Sequence, residues 1–200
     1  MTMEFYESFM KFSFADEDVF CIENDPLVTE AEGVKTCECV VLINPRVALI
    51  EAKSSSPKEI SGDQFKNFIS EIKQKFSDSL LLFNEIKNKK YGEAAFLRLP
   101  FHLQNMTIAP NQYIVCLIIH GHRLEWLVGL QDAFREAMRE VVNQWNIKDS
   151  QVKVFNEETA LENRLIVAFI PKNERDVVRE KDSISQEKIK NWFAEHKVDA

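Results

Sequence analysis

The segment Tyr113–Ile119, Tyr-Ile-Val-Cys-Leu-Ile-Ile, is the longest unbroken apolar run in the chain. Side chains of an extended strand alternate between two faces. A strand this apolar must therefore be covered on both sides and belongs in the middle of a sheet. That requirement calls for further layers of structure packed against the sheet. Seven residues fall far short of the roughly 20 that a membrane-spanning helix needs. The first 14 residues carry Glu4, Glu7 and Lys11 among their aromatics, unlike the uncharged core of a secretory signal. A cytoplasmic protein with no membrane partner is expected.

The flanking patterns supply the layers. Residues 34–43 and 47–53 are β-rich runs separated by Asn44-Pro45-Arg46, a hairpin with Pro45 at the second position of a type I turn. From Ser61 the period changes: Phe65, Phe68, Ile69, Ile72, Phe76, Leu80, Phe83 and Ile86 recur by threes and fours, which predicts one long amphipathic helix. Trp126, Leu127, Leu130, Phe134, Met138, Val141 and Trp145 mark a second. Further strands are expected over 19–22, 151–155 and 164–170, the last stopped by Pro171, and residues 100–110 read as a loop. Ser183 and Gln186 form a capping box ahead of a final helix through Ile189, Trp192 and Phe193. The first 14 residues fit either a helix (Phe5, Phe9, Phe12) or a strand (Met10, Phe12, Phe14). The order predicts an α/β (α+β) class, a central mixed sheet flanked by helices with a C-terminal helical extension. With 200 residues, 45% of them hydrophobic, one domain is expected over 1–171, and 172–200 form a charged connector and a helix extending it. Such a chain buries a core without disulfides. Its four cysteines show no Cys-x-x-Cys pair and read as reduced packing residues.

The formal net charge of −7, from 25 basic and 32 acidic residues, excludes a surface that is basic throughout. Residues 53–98 are a local exception, with nine basic against six acidic residues, and a polyanion would approach there.

Acid-x-Lys occurs four times, but Glu71-Lys73, Glu85-Lys87 and Glu195-Lys197 fall in helix patterns, where i, i+2 side chains diverge. Only Glu51-Ala52-Lys53 lies on a strand. There Val47, Leu49, Glu51 and Lys53 share one face and Ala48, Ile50 and Ala52 the other. Two charges at the end of a strand otherwise built for burial cost on the order of several kcal/mol unless they are paired or bind an ion. The hairpin partner adds Glu38. With Asn44 opposite Val47, Glu38 faces Lys53 and lies diagonal to Glu51; with Ile43 opposite Arg46 it faces Glu51 directly. Either register gathers two carboxylates and one ammonium group at one end of one face. Carboxylates that close repel unless something positive lies between them. A magnesium ion held by one or two carboxylates and waters fits that need. Lys53 would then orient or deprotonate a metal-bound water and stabilise a phosphorane-like transition state. The plainer alternative is a cross-strand ion pair of Glu38 and Lys53 with Glu51 at the rim.

Glu38, the hairpin, the strand ending Val47-Ala48-Leu49-Ile50-Glu51-Ala52-Lys53-Ser54-Ser55 and the helix after it resemble the core of the PD-(D/E)xK nuclease superfamily, especially its restriction-endonuclease-like members. The resemblance covers residues 20–120. It implies a core of a helix, three antiparallel strands, a helix and a further strand. It also implies a divalent cation, Mg2+ or Mn2+, that activates water against a phosphodiester. Carried over, Glu38 stands at the family's first Asp, and Glu51 and Lys53 fill the acid-x-Lys pattern. Glu38 and Cys37 depart from the usual Asp and Pro. The acid of the family's N-terminal helix has no clear match; Glu7 and Glu23 are candidates. Lys75 and Ser79 lie on one flank of the long helix and are candidates to line the site. Gln64 falls near Lys75 on that flank, like the glutamine often found in similar nucleases. His120 and His122 read as ordinary polar residues at a strand end, and Trp126 and Trp145 as core or dimer-interface anchors rather than base-stacking platforms. The expectation is a divalent-metal-dependent nuclease acting on nucleic acid, DNA foremost, with a homodimer permitted but not demanded. The alternative is a non-catalytic binding or assembly subunit of the same fold in a nucleic-acid or defence complex, in keeping with the acidic net charge.

Overall fold

The computed structural model describes residues 1–30, 32–109, 111–180, 183–184 and 186–196. Strands β1 (Thr2–Glu7) and β2 (Met10–Ala15) form a hairpin whose turn residues, Ser8 and Phe9, both sit at positive φ, as a two-residue turn of this hand requires. The ambiguous aromatic spacing of the first residues is thereby resolved as strand. Phe5 faces Phe12 across the pair and stacks on it at 4.8 Å.

Next come β3 (Val19–Phe20), α1 (Pro26–Thr29), β4 (Cys39–Ile43), β5 (Arg46–Lys53) and the long helix α2 (Asp63–Lys87). Two short helices follow, α3 (Glu93–Phe96) and α4 (Phe101–Asn105). The latter lies where a loop is expected, because Pro100 at its N-cap fixes a backbone angle that suits entry into a helix. The chain continues with β6 (Tyr113–Ile119), α5 (Leu124–Gln144), β7 (Val152–Asn156), α6 (Glu157–Glu162), β8 (Ala168–Phe169), α7 (Arg175–Val178), β9 (Arg179–Glu180), β10 (Ser183–Ile184) and α8 (Gln186–Glu195).

The central sheet runs β3-β4-β5-β6-β7, antiparallel from β3 to β5 and parallel from β5 to β7. β6 is covered on both faces, as its composition demands. On one face Val47, Leu49, Val115, Leu117 and Ile119 pack against α2 and α5, whose Phe76 and Phe134 meet at 5.6 Å between ring centres. On the other, Ala48, Ile50, Ala52, Cys116 and Ile118 pack against Met10, Phe12 and the buried Ala160 of α6. The architecture is mixed α/β, with long helices on one face and a second sheet, β1-β2-β8, on the other.

That second sheet corrects the reading of residues 164–170. Only Ala168–Phe169 is strand, and it pairs with β2 (Met10 opposite Phe169, Lys11 opposite Ala168) rather than joining the central sheet. Arg164, at positive φ, turns the chain after α6 toward the free edge of β2. The tail folds onto the same layer: Ile189, Trp192 and Phe193 of α8 bury themselves with Phe9, Ile170 and Val178. Ser183 lies in β10, opposite Glu180, and the helix begins at Gln186; the N-cap position to which the capping-box reading applies lies outside the described residues. Among the described residues no helix is long and apolar enough to cross a membrane.

Candidate functional site

The β4–β5 turn consists of Asn44 and Pro45, joined by a cis peptide bond, so Pro45 is its third residue rather than its second. Ile43 therefore faces Arg46, and Cys39 faces Ile50. This is the second of the two registers open to the sequence. Glu38 sits in a bend just before β4; its N–H donates to the Ile50 carbonyl at 3.0 Å, which sets it beside the Ile50–Glu51 step of β5, within reach of the Glu51 charge.

Helix α2 closes the arrangement from the side. Lys75 and Ser79, one turn apart, lie one above the other on its surface. The fully buried Ser79 hydroxyl accepts the Cys37 N–H at 2.8 Å and donates to the Lys75 carbonyl at 2.7 Å. This clamp fixes α2 against the approach to β4. Lys75 Nζ then lies 2.7 Å from Glu51 Oε1, and Lys53 Nζ reaches the same oxygen at 2.8 Å. Ser79→Ala leaves the buried Cys37 amide without its acceptor. The expected loss is about 1–3 kcal/mol in urea denaturation; a loss below about 0.5 kcal/mol would show that the clamp is not structural.

Two further carboxylates converge. The Ser8 N–H donates to Glu7 Oε1 at 2.9 Å, while the Ser8 hydroxyl lies 3.0 Å from that oxygen and 3.2 Å from the Ala52 carbonyl, between Glu51 and Lys53 on β5. The N-terminal hairpin is thus tied to the strand that carries the motif. Glu23 comes from the single helical turn Ile22–Asn24, anchored by the buried Ile22. Glu7, Glu23 and Glu38 line one cleft of about 340 Å³, together with Cys21, Asn24 and Gln186. Both candidates for the missing acid are therefore present, brought by a hairpin and a short turn instead of the helix that the resemblance implies.

Glu51 is fully buried and Glu38 is 5% exposed. Burial, then the charges of Glu51, Glu23 and Glu7 and a hydrogen bond with Glu23, push the Glu38 carboxyl up to about 10. Burial and the Glu23 charge also raise Glu7, against the lowering effect of Ser8 and Lys53. Burial works to discharge Lys75, but Glu51 outweighs it and holds the ammonium above its ordinary value. Among the described residues of this cluster, four carboxylates and two ammonium groups leave two more negative charges than positive when all are ionised. Without a cation, Glu38 keeps its proton at neutral pH.

The residues fit a hard divalent ion in one respect and are not preformed for it in another. Oε2 of the buried Glu51 has no hydrogen-bond partner among the described residues, a costly state for an isolated carboxylate oxygen. With Glu38 close enough to feel its charge, it supplies the one or two carboxylates that magnesium requires beside its waters. Among the described residues, no three His, Cys, Asp or Glu side chains are already drawn together as a metal-holding group.

Other candidates lie elsewhere. Gln64 is exposed in the first turn of α2, and eleven residues of helix, about 16 Å along the axis, separate it from Lys75. His120 is buried; its Nε2–H donates to the Ile170 carbonyl at 2.8 Å and its Nδ1 faces Arg175. Burial and the Arg175 charge push it down to about 3, so it is a neutral structural histidine. His122 points away from it, toward Trp126. Both tryptophans are half-buried: Trp145 packs edge-on against Tyr113 at the margin of the core, and Trp126 lines a cleft. Cys37, Cys39 and Cys116 are free and buried. Sequence reasoning missed Gln186, which donates to Glu7 Oε2 at 3.4 Å. Its place is set by packing of α8 some 180 residues away, and no local pattern announces it.

Compared with protein-family models, with curated proteins and with solved structures, the chain matches none. Fold and site together define a mixed α/β protein with a buried carboxylate–lysine cluster at the carboxyl end of its central antiparallel-to-parallel strand.

Proposed function

We propose that this chain is a divalent-metal-dependent nuclease with a restriction-endonuclease-like core, hydrolysing phosphodiester bonds of nucleic acid, DNA foremost. The observation that carries this reading is the fully buried Glu51, its charge felt by the nearby Glu38, with one oxygen against two ammonium groups and the other unpartnered among the described residues. A structural ion pair needs one cation per carboxylate; among the described residues the ion pairs of this cluster supply two ammonium groups for its four carboxylates. Glu38 and Glu51 would hold Mg2+ or Mn2+, which supplies Lewis-acid activation of water and of the scissile phosphate. Lys53, at the mouth of the strand, positions the attacking water and offsets charge developing on the phosphorus oxygens. Lys75 holds Glu51 in its rotamer from the opposite side. The proton that Glu38 gives up on metal binding leaves to solvent through the cleft that Glu38 shares with Glu7 and Glu23.

Manganese titrated into the metal-free protein near pH 7 should bind with release of about one proton, seen as a dependence of the heat on the buffer's ionisation enthalpy. Magnesium or manganese should then support cleavage of DNA, read against a Glu51→Gln preparation purified in parallel. Tight manganese binding without cleavage of any DNA or RNA form would overturn the nuclease reading. It would favour a non-catalytic subunit of the same fold, for which the acidic net charge speaks.

A further inference from the structure

The carboxyl ends of the parallel pair β5 and β6 open a second cleft of about 340 Å³, whose lining begins at Pro57 and His122. Lys53 and Ile119, the last residues of the two strands, face each other, so this cleft starts four residues beyond the motif lysine on one strand and three beyond its neighbour on the other. Crevices outside the carboxyl ends of parallel strands are where open α/β sheets take their ligands. The Ser56 hydroxyl, 3.4 Å from His122 Nδ1, links the two loops that form it.

The wall of the cleft is the indole of Trp126, in the first turn of α5. Lys58 Nζ lies 4.5 Å from the ring centre and the Arg123 guanidinium 5.1 Å from it, while His122 meets it edge-on. Carboxylates complete the rim. Glu125 pairs with Arg123 at 3.5 Å, and Glu59 reaches across α5 where Gly129 has no side chain, 3.1 Å from the place a Cβ would occupy. Core aromatics of this helix are fully buried, as Phe134 is. Trp126 instead is half-buried and lines the cleft, with Lys58 and Arg123 seated over its ring, from where they can pass to a phosphate when a base takes their place.

An indole face, cations beside it and carboxylates at the edge make a combined complement to one ligand class. The indole stacks a base, the cations meet its phosphate, and a carboxylate accepts from an exocyclic amino group. A duplex hides its bases from such a wall, so the base must be unpaired or splayed out. We propose that Trp126 is the stacking platform of a subsite for an unpaired, amino-bearing nucleobase of a single strand, with Lys58 and Arg123 on its phosphate and Glu59 or Glu125 on its amino group. The identity of the ligand rests on the nuclease reading; the geometry of the cleft does not.

The test is fluorescence anisotropy of labelled (dC)12 at low salt in EDTA, where no metal-dependent cleavage occurs. (dT)12, a duplex and unlabelled dCMP serve as competitors. Trp126→Ala should weaken (dC)12 binding about ten- to a hundredfold, Trp126→Phe should retain most of it, and Lys58→Met should weaken it with a shallower salt dependence. (dC)12 should outcompete (dT)12, the duplex and dCMP. Absence of (dC)12 binding, or unchanged binding in Trp126→Phe and Lys58→Met together with Trp126→Ala, would overturn the subsite. Equal competition by dCMP would overturn the strand as its ligand in favour of a free nucleotide. Trp126-dependent binding in a protein that never cleaves would leave the subsite standing and sink the nuclease. Metal-dependent cleavage unaffected by Trp126→Ala would do the reverse.

Discussion

Lys53→Met will lower metal-dependent cleavage about a hundred- to a thousandfold, the usual cost of removing one group aimed at charge that develops in the transition state, and it will tighten manganese binding. The two effects have one cause. Lys53 Nζ sits 2.8 Å from Glu51 Oε1; under the proposed function it would compete with a cation for that oxygen and, with substrate bound, would stabilise the developing charge. Removing it frees the ligand and deprives the reaction. Glu51→Gln separates the roles, because it should lose metal binding and cleavage together. Manganese titration and initial cleavage rates on both variants read the contrast. Cleavage by Lys53→Met at the wild-type rate would reduce Lys53 to a counter-ion.

The second large effect is on stability. The Glu38 carboxyl is pushed up to about 10 in the folded protein, against roughly 4.3 for a free glutamate. Between those values the native state binds a proton that the unfolded chain does not, so stability falls as pH rises. The contribution of Glu38 is fully present below about pH 4 and is lost progressively toward about pH 10. Glutamine imitates the protonated acid. Glu38→Gln should therefore match the wild type near pH 4 and exceed it increasingly above, by on the order of 3 kcal/mol at pH 8. Urea denaturation in EDTA at several pH values measures it. Parallel stability curves for the two proteins would mean that Glu38 is ionised in the native state. A gain in stability from deleting a carboxylate is what a site held ready for a cation should show.

Much of this was open to reading from residues. The period of two placed Val47, Leu49, Glu51 and Lys53 on one face, and the period of 3.6 placed α2 and α5, because both signals are local and strong. The acid-x-Lys pair on a covered strand marked the site by its cost. What eluded the pattern depended on distant partners. Phe5, Phe9 and Phe12 fit a helix while Met10, Phe12 and Phe14 fit a strand, and the contacts that favour the hairpin, such as Ser8 with Ala52, come from far along the chain. Residues 168–169 form a strand in either sheet equally well; the free edge of β2 decides. Glu7 and Glu23 looked like alternatives because no spacing rule relates them, yet they line one cleft. Trp126 shares the apolar stripe of α5 with Phe134, and the sequence cannot tell that its turn overhangs a cleft.

Strand β5 is hydrogen-bonded along both edges, to β4 on one side and over seven residues to β6 on the other. Amides in such a strand exchange with solvent only when the molecule opens as a whole, whereas loops leaving it open on their own. Glu51 and Lys53 therefore ride on the least compliant part of the molecule. The segment after Lys53, residues 54–58, lies outside helix and strand. Under the proposed function, adjustment to differently shaped substrates would fall to that segment, and the spacing of the charges would stay the same from one substrate to the next.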